Sequence, residues 1–163
     1  LGNEKLLPEG YLREPKSRLK QGTVIEHSKT AQAQRNMHLE IGQPYLLNPH
    51  SSTNAFDAKQ YFNAVVGIGF PQRFYQTLNK LGVNQYQAHE FPDHHDYEIA
   101  DLTFDHHDVI ITTEKDAVKF KTLLKQHPEF NIPIWVVPVE AVLSSDCYDL
   151  LRQQLQQVGI QFS

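Results

Sequence analysis

The fold of this chain is decided by one stretch of sequence, Phe62-Asn-Ala-Val-Val-Gly-Ile-Gly-Phe-Pro-Gln-Arg-Phe-Tyr-Gln-Thr-Leu-Asn-Lys-Leu-Gly82, which predicts a strand that runs into a helix. The run Phe62–Ile68 is compact and apolar, as is typical of a strand buried on both faces. Pro71 suits the first turn of a helix, where its missing N–H costs little, and the closing glycine predicts the helix end. Apolar residues at helical spacing predict the buried face of that helix: Phe74, Leu78 and Leu81.

The same alternation continues along the chain. We predict, in order, a strand over 83–91, a short helix over 97–102, a strand over 108–113, a helix over 114–125, a strand over 132–139 and a helix over 146–158. In the helix over 114–125, Val118 and Leu123 are expected to face inward. Strands that alternate with helices at this spacing predict βαβ units. The expected fold class is therefore α/β, with a mainly parallel sheet flanked by helices on both faces.

The chain before this region has a different character. Residues 1–20 contain two prolines and two glycines, which predict an ordered connection rather than a continuous helix. Short strands are expected within 23–27 and 37–47, and the polar residues of 48–58 predict a loop. We therefore divide the chain into a connecting segment with a short β linker, residues 1–58, and a C-terminal α/β domain, residues 59–163.

The composition limits the function classes. The 163 residues are 40% hydrophobic and 21% charged, as in an ordinary soluble globular protein. The single cysteine, Cys147, excludes an internal disulfide and is expected to fill apolar space. The net charge of −4 disfavours broad nucleic-acid binding, and no apolar run approaches the roughly 20 residues of a transmembrane helix. Because the chain begins at Leu1, without a methionine or a leader, we expect it to be a piece of a longer protein.

Three segments follow the predicted strands at their carboxyl ends. In open parallel sheets, ligands bind at this edge, where helix N-termini offer unpaired N–H groups. The three segments are Gly67–Arg73, Phe91–Tyr97 and Thr112–Asp116.

The second of these segments contains the tetrapeptide Asp93-His-His-Asp96. An imidazole titrates near neutral pH, so a histidine here is a candidate general base for attack on phosphorus or on a carbonyl carbon. Histidine and aspartate together also suit zinc, manganese or iron, although adjacent histidines of an extended segment point to opposite faces. A solvated polar loop is the third interpretation. The same tetrapeptide recurs at 105–108, at the amino end of a predicted strand, where we expect a polar turn.

The other two segments have structural and functional interpretations. Gly67-Ile-Gly69 predicts a tight strand-to-helix turn, or a backbone that approaches a phosphate. Thr113 and Asp116 predict a helix cap, and Lys115 or the adjacent N–H groups are candidates to contact an anion. The chain contains neither Gly-x-x-x-x-Gly-Lys-Ser/Thr nor Gly-x-Ser-x-Gly, which disfavours a P-loop within this chain and an α/β-hydrolase.

Five motifs in register resemble one family, the tetraacyldisaccharide 4'-kinases, which are the lipid A 4'-kinases of Gram-negative bacteria. Their order and spacing cover most of the chain. The motifs are Leu7-Pro-Glu-Gly10 with Leu12-Arg-Glu-Pro15, Gly67-Ile-Gly69 with Pro71-Gln-Arg-Phe74, Phe91-Pro-Asp-His94, Thr113-Glu-Lys-Asp116, and Val136-Val-Pro-Val-Glu140.

The resemblance implies transfer of the ATP γ-phosphate to the 4'-hydroxyl of tetraacyldisaccharide 1-phosphate in lipid A and lipopolysaccharide biosynthesis, at the cytoplasmic face of the inner membrane. It implies a two-domain P-loop-kinase-like protein whose N-terminal domain holds the Walker lysine, metal-binding acidic residues and a catalytic aspartate. ATP and Mg²⁺ would be bound mainly by that domain, and membrane contact would be made through it. The present chain would be the C-terminal part, soluble and inactive by itself.

Residue by residue, the resemblance implies that His94 is the catalytic histidine. It places Arg13 and Glu14 near the acceptor or phosphate, as substrate-binding residues, and assigns no metal ligand to this chain. His95 stands where the family also accepts tyrosine, so the chemistry is not assigned to it. Phe70 replaces the polar residue that commonly follows Gly-x-Gly.

Two other function classes stay open at this point. One is a metal-dependent hydrolase that uses the Asp-His-His-Asp segments, and bound zinc or manganese in the purified protein would favour it. The other is a noncatalytic α/β binding module, which the missing phosphate loop favours. A phosphate-binding loop encoded upstream of Leu1 would favour the kinase instead.

Overall fold

A computed structural model describes residues 3–27, 36–48, 55–105 and 109–160 of the chain. The chain forms two compact units, Leu1–Leu39 with Ala141–Ser163, and Glu40–Glu140. These bounds differ from the division at residue 58 that composition suggests. The reason is that residues 45–46 form a strand of the second unit's sheet, whereas the chain from Ala141 groups with the first unit.

The second unit is built on a five-stranded sheet of order β3-β7-β6-β4-β5. Four of these strands are parallel neighbours, and β3 is an antiparallel edge strand paired with β7. The prediction of a mainly parallel sheet is therefore confirmed. The strands are β3 Tyr45–Leu46, β4 Phe62–Val66, β5 Tyr86–Glu90, β6 Ile110–Thr113 and β7 Ile134–Val137.

Both faces of this sheet are covered by apolar side chains. Ala64 and Val66 of β4 point into one buried cluster, whereas Val65 between them points into another. Ile111 and Ile110 of β6 divide between the clusters in the same way. Because successive side chains of a strand point to opposite faces, the two clusters lie on opposite faces of the sheet.

Two helices follow strands of this sheet. Helix α1, Pro71–Lys80, begins with proline in its first turn and buries Phe74 and Leu78. It ends before Gly82, whose φ of +83° is the left-handed conformation that glycine adopts readily. Helix α2, Glu114–Gln126, begins at the Thr113 cap, whose hydroxyl accepts a hydrogen bond from the Asp116 amide at 3.2 Å. The predicted strand–helix units and the predicted cap are confirmed.

The inward position predicted for Val118 is wrong. Its side chain is 66% exposed, and the buried face of α2 is formed by Asp116, Ala117 and Phe120. Residue 118 lies about 100° around the helix from residue 117, so it turns away from the sheet. Leu123 does pack against the core, as expected.

Some predicted elements are shorter or divided. The helix expected over 97–102 is a 3-10 turn over Ile99–Leu102. The strand expected over 132–139 is two strands, β7 and β8, the latter over Val139–Leu143. Pro138 separates them, because proline has no N–H to continue a strand ladder.

The first unit contains a 3-10 helix over Lys16–Gln21 and helix α3 over Ser145–Gln157. Strands β1, Glu26–His27, and β2, Asn36–Ile41, join β8 in a three-stranded sheet of order β1-β2-β8. Short strands are thus present in this region, as expected, and β8 is a partner in their sheet that the sequence did not reveal. Cys147 is buried at the start of α3, as the composition suggested. Within the described part of the chain, no helix combines the length and apolar character that crossing a membrane requires.

Candidate functional site

The three segments singled out in the sequence lie at one edge of the sheet. Strands β5 and β6 both pair with β4 in parallel, so the carboxyl ends of all three strands lie at this edge. The segment after β4 begins at Gly67, the segment after β5 begins at Phe91, and α2 follows β6 directly. The structure therefore brings three parts together: the glycine turn, Gly67–Arg73; the histidine loop, Phe91–Tyr97; and the start of α2.

One buried carboxylate joins these segments. Asp116 has no exposed surface, and its Oδ2 accepts hydrogen bonds from the Gly67 N–H at 3.2 Å and from the Thr113 hydroxyl at 2.8 Å. Its Oδ1 accepts a hydrogen bond from the Tyr97 hydroxyl at 3.1 Å. Burial, together with the Asp116 charge, raises the pKa of Tyr97 well above its usual range. Asp116 therefore fixes the geometry of all three segments through hydrogen bonds.

The glycine turn is shaped by the protein itself. A Cβ at Gly67 would collide with the Tyr97 hydroxyl, so the missing side chain makes room for the contact between Tyr97 and Asp116. At Gly69 the nearest atom to a Cβ would be Asp93 Oδ2, at 4.0 Å. This geometry agrees with the tight turn that the sequence predicts.

The histidine loop presents His94 to solvent. The His95 amide donates to the Pro92 carbonyl at 3.1 Å, which closes a turn around His94. His94 has a φ of +66°, in the left-handed region, and its side chain is 82% exposed. Its Nε2 lies 3.6 Å from Asp93 Oδ2. The imidazole is thus accessible to a ligand and has a carboxylate beside it.

Lys115 holds Asp93 through the other carboxylate oxygen. The Lys115 Nζ lies 2.5 Å from Asp93 Oδ1, and that oxygen also accepts the His94 amide at 3.1 Å. The ion pair with Lys115 lowers the pKa of Asp93, to which the nearby His94 also contributes. Asp93 is therefore ionised at neutral pH.

His95 has a different environment from that of His94. Its ring stacks on Phe91 with centroids 4.7 Å apart, and its Nε2 lies 2.9 Å from Asp101 Oδ2. The Lys119 ammonium donates to the His95 carbonyl at 2.6 Å. His95 therefore anchors the loop, whereas His94 is free to meet a ligand.

The other two sequence-predicted residues, Arg13 and Glu14, belong to the first compact unit, whereas His94 belongs to the second. Glu14 Oε2 accepts a hydrogen bond from Arg18 Nε at 3.0 Å. Arg13 is exposed and has no hydrogen bond or ion pair with another described residue. Of these two residues, only Arg13 has a charged group without a partner among the described residues.

Metal ligation was the competing interpretation of the histidine segments. Among residues 3–27, 36–48, 55–105 and 109–160, no group of three or more histidine, cysteine, aspartate or glutamate side chains could hold a metal ion. Of the second copy of the tetrapeptide, at 105–108, only Asp105 is described, since residues 106–108 lie outside the described part of the chain.

Sequence reasoning missed two features of this site. It treated Asp116 only as a cap, because a threonine three residues before an aspartate is a common helix start and shows nothing of burial. It left Lys115 without a partner and did not consider Lys119. A lysine spacing of four on one helix places both side chains on the same face, which is the signal that could have found them.

Comparison with known proteins identifies relatives of this chain. The family model described as tetraacyldisaccharide-1-P 4'-kinase matches residues 1–156. A tetraacyldisaccharide 4'-kinase of Psychrobacter cryohalolentis is 38% identical, with 99% of this chain and 52% of the relative covered. One from Legionella pneumophila is 37% identical, with 96% and 47% covered. The chain thus spans about half the length of the curated relatives it matches.

A solved structure has a similar fold. The crystal structure of LpxK from Aquifex aeolicus, described as an "apo" form in complex with ATP, has a TM-score of 0.66 and 21% identity to this chain. The match covers 96% of this chain and 49% of that protein. Because the family model spans nearly all of the sequence and the fold agrees, this chain belongs to the tetraacyldisaccharide-1-P 4'-kinase family.

Proposed function

We propose that this chain is the histidine-bearing half of a kinase that transfers the γ-phosphate of ATP to the 4'-hydroxyl of tetraacyldisaccharide 1-phosphate, a step of lipid A biosynthesis. The observation that carries the proposal is an exposed imidazole, His94, held beside an ionised carboxylate at the ligand-binding edge of a parallel sheet. Family membership and relatives named as 4'-kinases support this choice of reaction.

His94 would act as the general base. As the 4'-oxygen attacks the γ-phosphorus, a P–O bond forms to the sugar, the P–O bond to ADP breaks, and the hydroxyl proton moves to the imidazole. Histidine suits this task because its pKa lies near neutrality, so it accepts a proton and releases it again at physiological pH. The Asp93 carboxylate, 3.6 Å from Nε2, would stabilise the imidazolium that forms.

ATP and Mg²⁺ would be bound mainly by the part of the complete protein that this chain does not span. The sequence contains no Gly-x-x-x-x-Gly-Lys-Ser/Thr, and the described residues hold no group of three or more potential metal ligands. The catalytic aspartate that the family resemblance implies would lie in that part as well.

Arg13 would bind an anionic group of the substrate, since its guanidinium has no partner among the described residues. Glu14 would bind the acceptor sugar through its carboxylate, of which Oε2 is also paired with Arg18. Because its acceptor is a lipid, the complete protein would be a peripheral protein at the cytoplasmic face of the inner membrane and would contact the bilayer through the other half. Nucleic acid is not among the proposed partners.

The first prediction tests His94 in the complete protein. Replacing His94 with alanine should lower kcat by roughly 10²–10⁴-fold, the usual contribution of a positioned general base. The measurement is phosphate transfer from labelled ATP to the lipid acceptor. Because the imidazole is 82% exposed, added imidazole should restore part of the lost rate in His94→Ala.

His127→Ala is the matched control. His127 follows the far end of α2, so this variant should leave kcat unchanged. A loss of less than about threefold in His94→Ala, with the fold intact, would rule out the role as a general base.

A further inference from the structure

We propose that Lys115 and Lys119, one turn apart on α2, are positioning residues that hold the histidine loop, Phe91–Tyr97, on either side of His94. This inference rests on the function proposed for His94. Neither lysine would touch the substrate, and each would act through the loop.

Lys115 holds the residue before His94. Its ammonium lies 2.5 Å from Asp93 Oδ1, and the same oxygen accepts the His94 amide. Asp93 Oδ2 is thereby left on the side of the imidazole, 3.6 Å from Nε2. Replacing the ammonium would free the Asp93 side chain to rotate away from His94.

Lys119 holds the residue after His94. Its ammonium donates to the His95 carbonyl at 2.6 Å and lies over the Tyr97 ring, 5.7 Å from the centroid. A lysine bound to a backbone carbonyl fixes the path of the chain itself, whatever the side chain at that position. Lys119 therefore holds the main chain after the imidazole, and Lys115 holds the Asp93 side chain before it.

The helix that carries these lysines is itself firmly placed. Asp116, Ala117 and Phe120 of α2 are almost fully buried, and Phe120 packs in the apolar cluster that contains Tyr97. Lys115 and Lys119 thus connect the loop to a fixed element. His94 has a φ of +66°, which is uncommon for a non-glycine residue, and these contacts help to hold it.

Kinetic measurements separate positioning from direct phosphate binding. Each ammonium already has an oxygen partner within hydrogen-bond distance. An ammonium carries three N–H donors, so one oxygen partner leaves donors for a phosphate, and losing a lysine that bound phosphate would weaken nucleotide or lipid binding. A positioning lysine should instead affect kcat and leave KM unchanged.

The test uses Lys115→Met and Lys119→Met in the complete protein, with Lys121→Met as the control. Lys121 lies on the same helix, is exposed, and forms no hydrogen bond or ion pair with another described residue. We expect each of the first two variants to lower kcat by about 10- to 100-fold, since small misplacements of a reacting group have effects of this size. Neither KM should change, Lys115→Arg should recover most of the rate, and Lys121→Met should match the unmodified protein.

Asp93→Asn tests the path from Lys115 to His94. If Lys115 acts through Asp93, the double variant Lys115→Met/Asp93→Asn should be no slower than the slower single variant, because residues that act as one unit are not additive. Multiplied losses, or a raised KM for ATP or lipid, would overturn the inference and indicate direct substrate binding.

Hydrogen exchange supplies a readout that does not depend on activity. In Lys115→Met and Lys119→Met, the amides of the histidine loop should exchange faster, whereas the strand amides of β4 should not change. Unchanged loop exchange in both variants would overturn the inference. If the complete protein has no kinase activity, or if His94→Ala is fully active, the proposed function fails, and the exchange rates alone decide whether the lysines hold the loop.

Discussion

At the scale of single residues, Asp116 and Gly67 form a complementary pair. The carboxylate is buried because three donors from three segments surround it, and one of those donors, the Tyr97 hydroxyl, occupies the space that a side chain at Gly67 would fill. A buried charge is tolerated only when it is bonded in this way. Any side chain at Gly67 would therefore disturb the Asp116 hydrogen bonds as well as the turn.

Gly67→Ala should lower the free energy of unfolding by about 1–3 kcal/mol, the range for an added group in a packed site. Gly69→Ala is the matched control, because a Cβ there would approach Asp93 Oδ2 no closer than 4.0 Å. Urea unfolding of the 163-residue chain, followed through its one tryptophan, Trp135, measures both. Equal stability of the two variants would contradict the crowding that the structure predicts.

At the scale of elements, α2 shows what a sequence pattern captures and what it misses. The Thr113 cap and the start of the helix are local features, so the sequence predicts them. Which residue points inward depends on how the helix is rotated about its own axis against the sheet. In this rotation Phe120, rather than Val118, lies in the core. The antiparallel edge strand β3 was likewise unpredictable as a partner of β7, since the pairing joins residues far apart in sequence.

Substitutions on α2 measure this difference directly. Phe120→Ala should lower the free energy of unfolding by about 3–5 kcal/mol, because it removes a fully buried ring. Val118→Ala should change it by no more than about 0.5 kcal/mol, as at other exposed positions. Denaturant unfolding of both variants is the measurement, and a larger loss for Val118→Ala would reverse the assignment of the buried face.

At the scale of the whole molecule, the chain spans about half the length of its relatives. The sequence predicted the α/β class, and its motifs predicted the family. Both depend on short apolar runs and on motif spacings, which are visible in the sequence alone. The site was only partly predictable. His94 could be named from a motif, but the contacts made by Lys115, Lys119 and Asp116 depend on chain segments that meet only in the folded sheet.

The 163-residue chain alone should show no transfer of phosphate from ATP to the lipid acceptor. The reason is that it carries the proposed base without a phosphate-binding loop, and phosphoryl transfer depends mainly on positioning and neutralising the phosphates. Incubating the purified chain with ATP, Mg²⁺ and acceptor, beside the complete protein, is the measurement. Turnover by the chain alone would refute the proposed division of roles.

The left-handed backbone conformation at His94 costs the protein some stability because histidine has a Cβ. Glycine rests in that conformation without a steric penalty, while other residues lose about 1–2 kcal/mol there. Glycine at position 94 would thus be more stable, but it would remove the imidazole that we propose as the general base. Efforts to make this protein more heat-resistant should leave that position alone and improve the surfaces that face away from it.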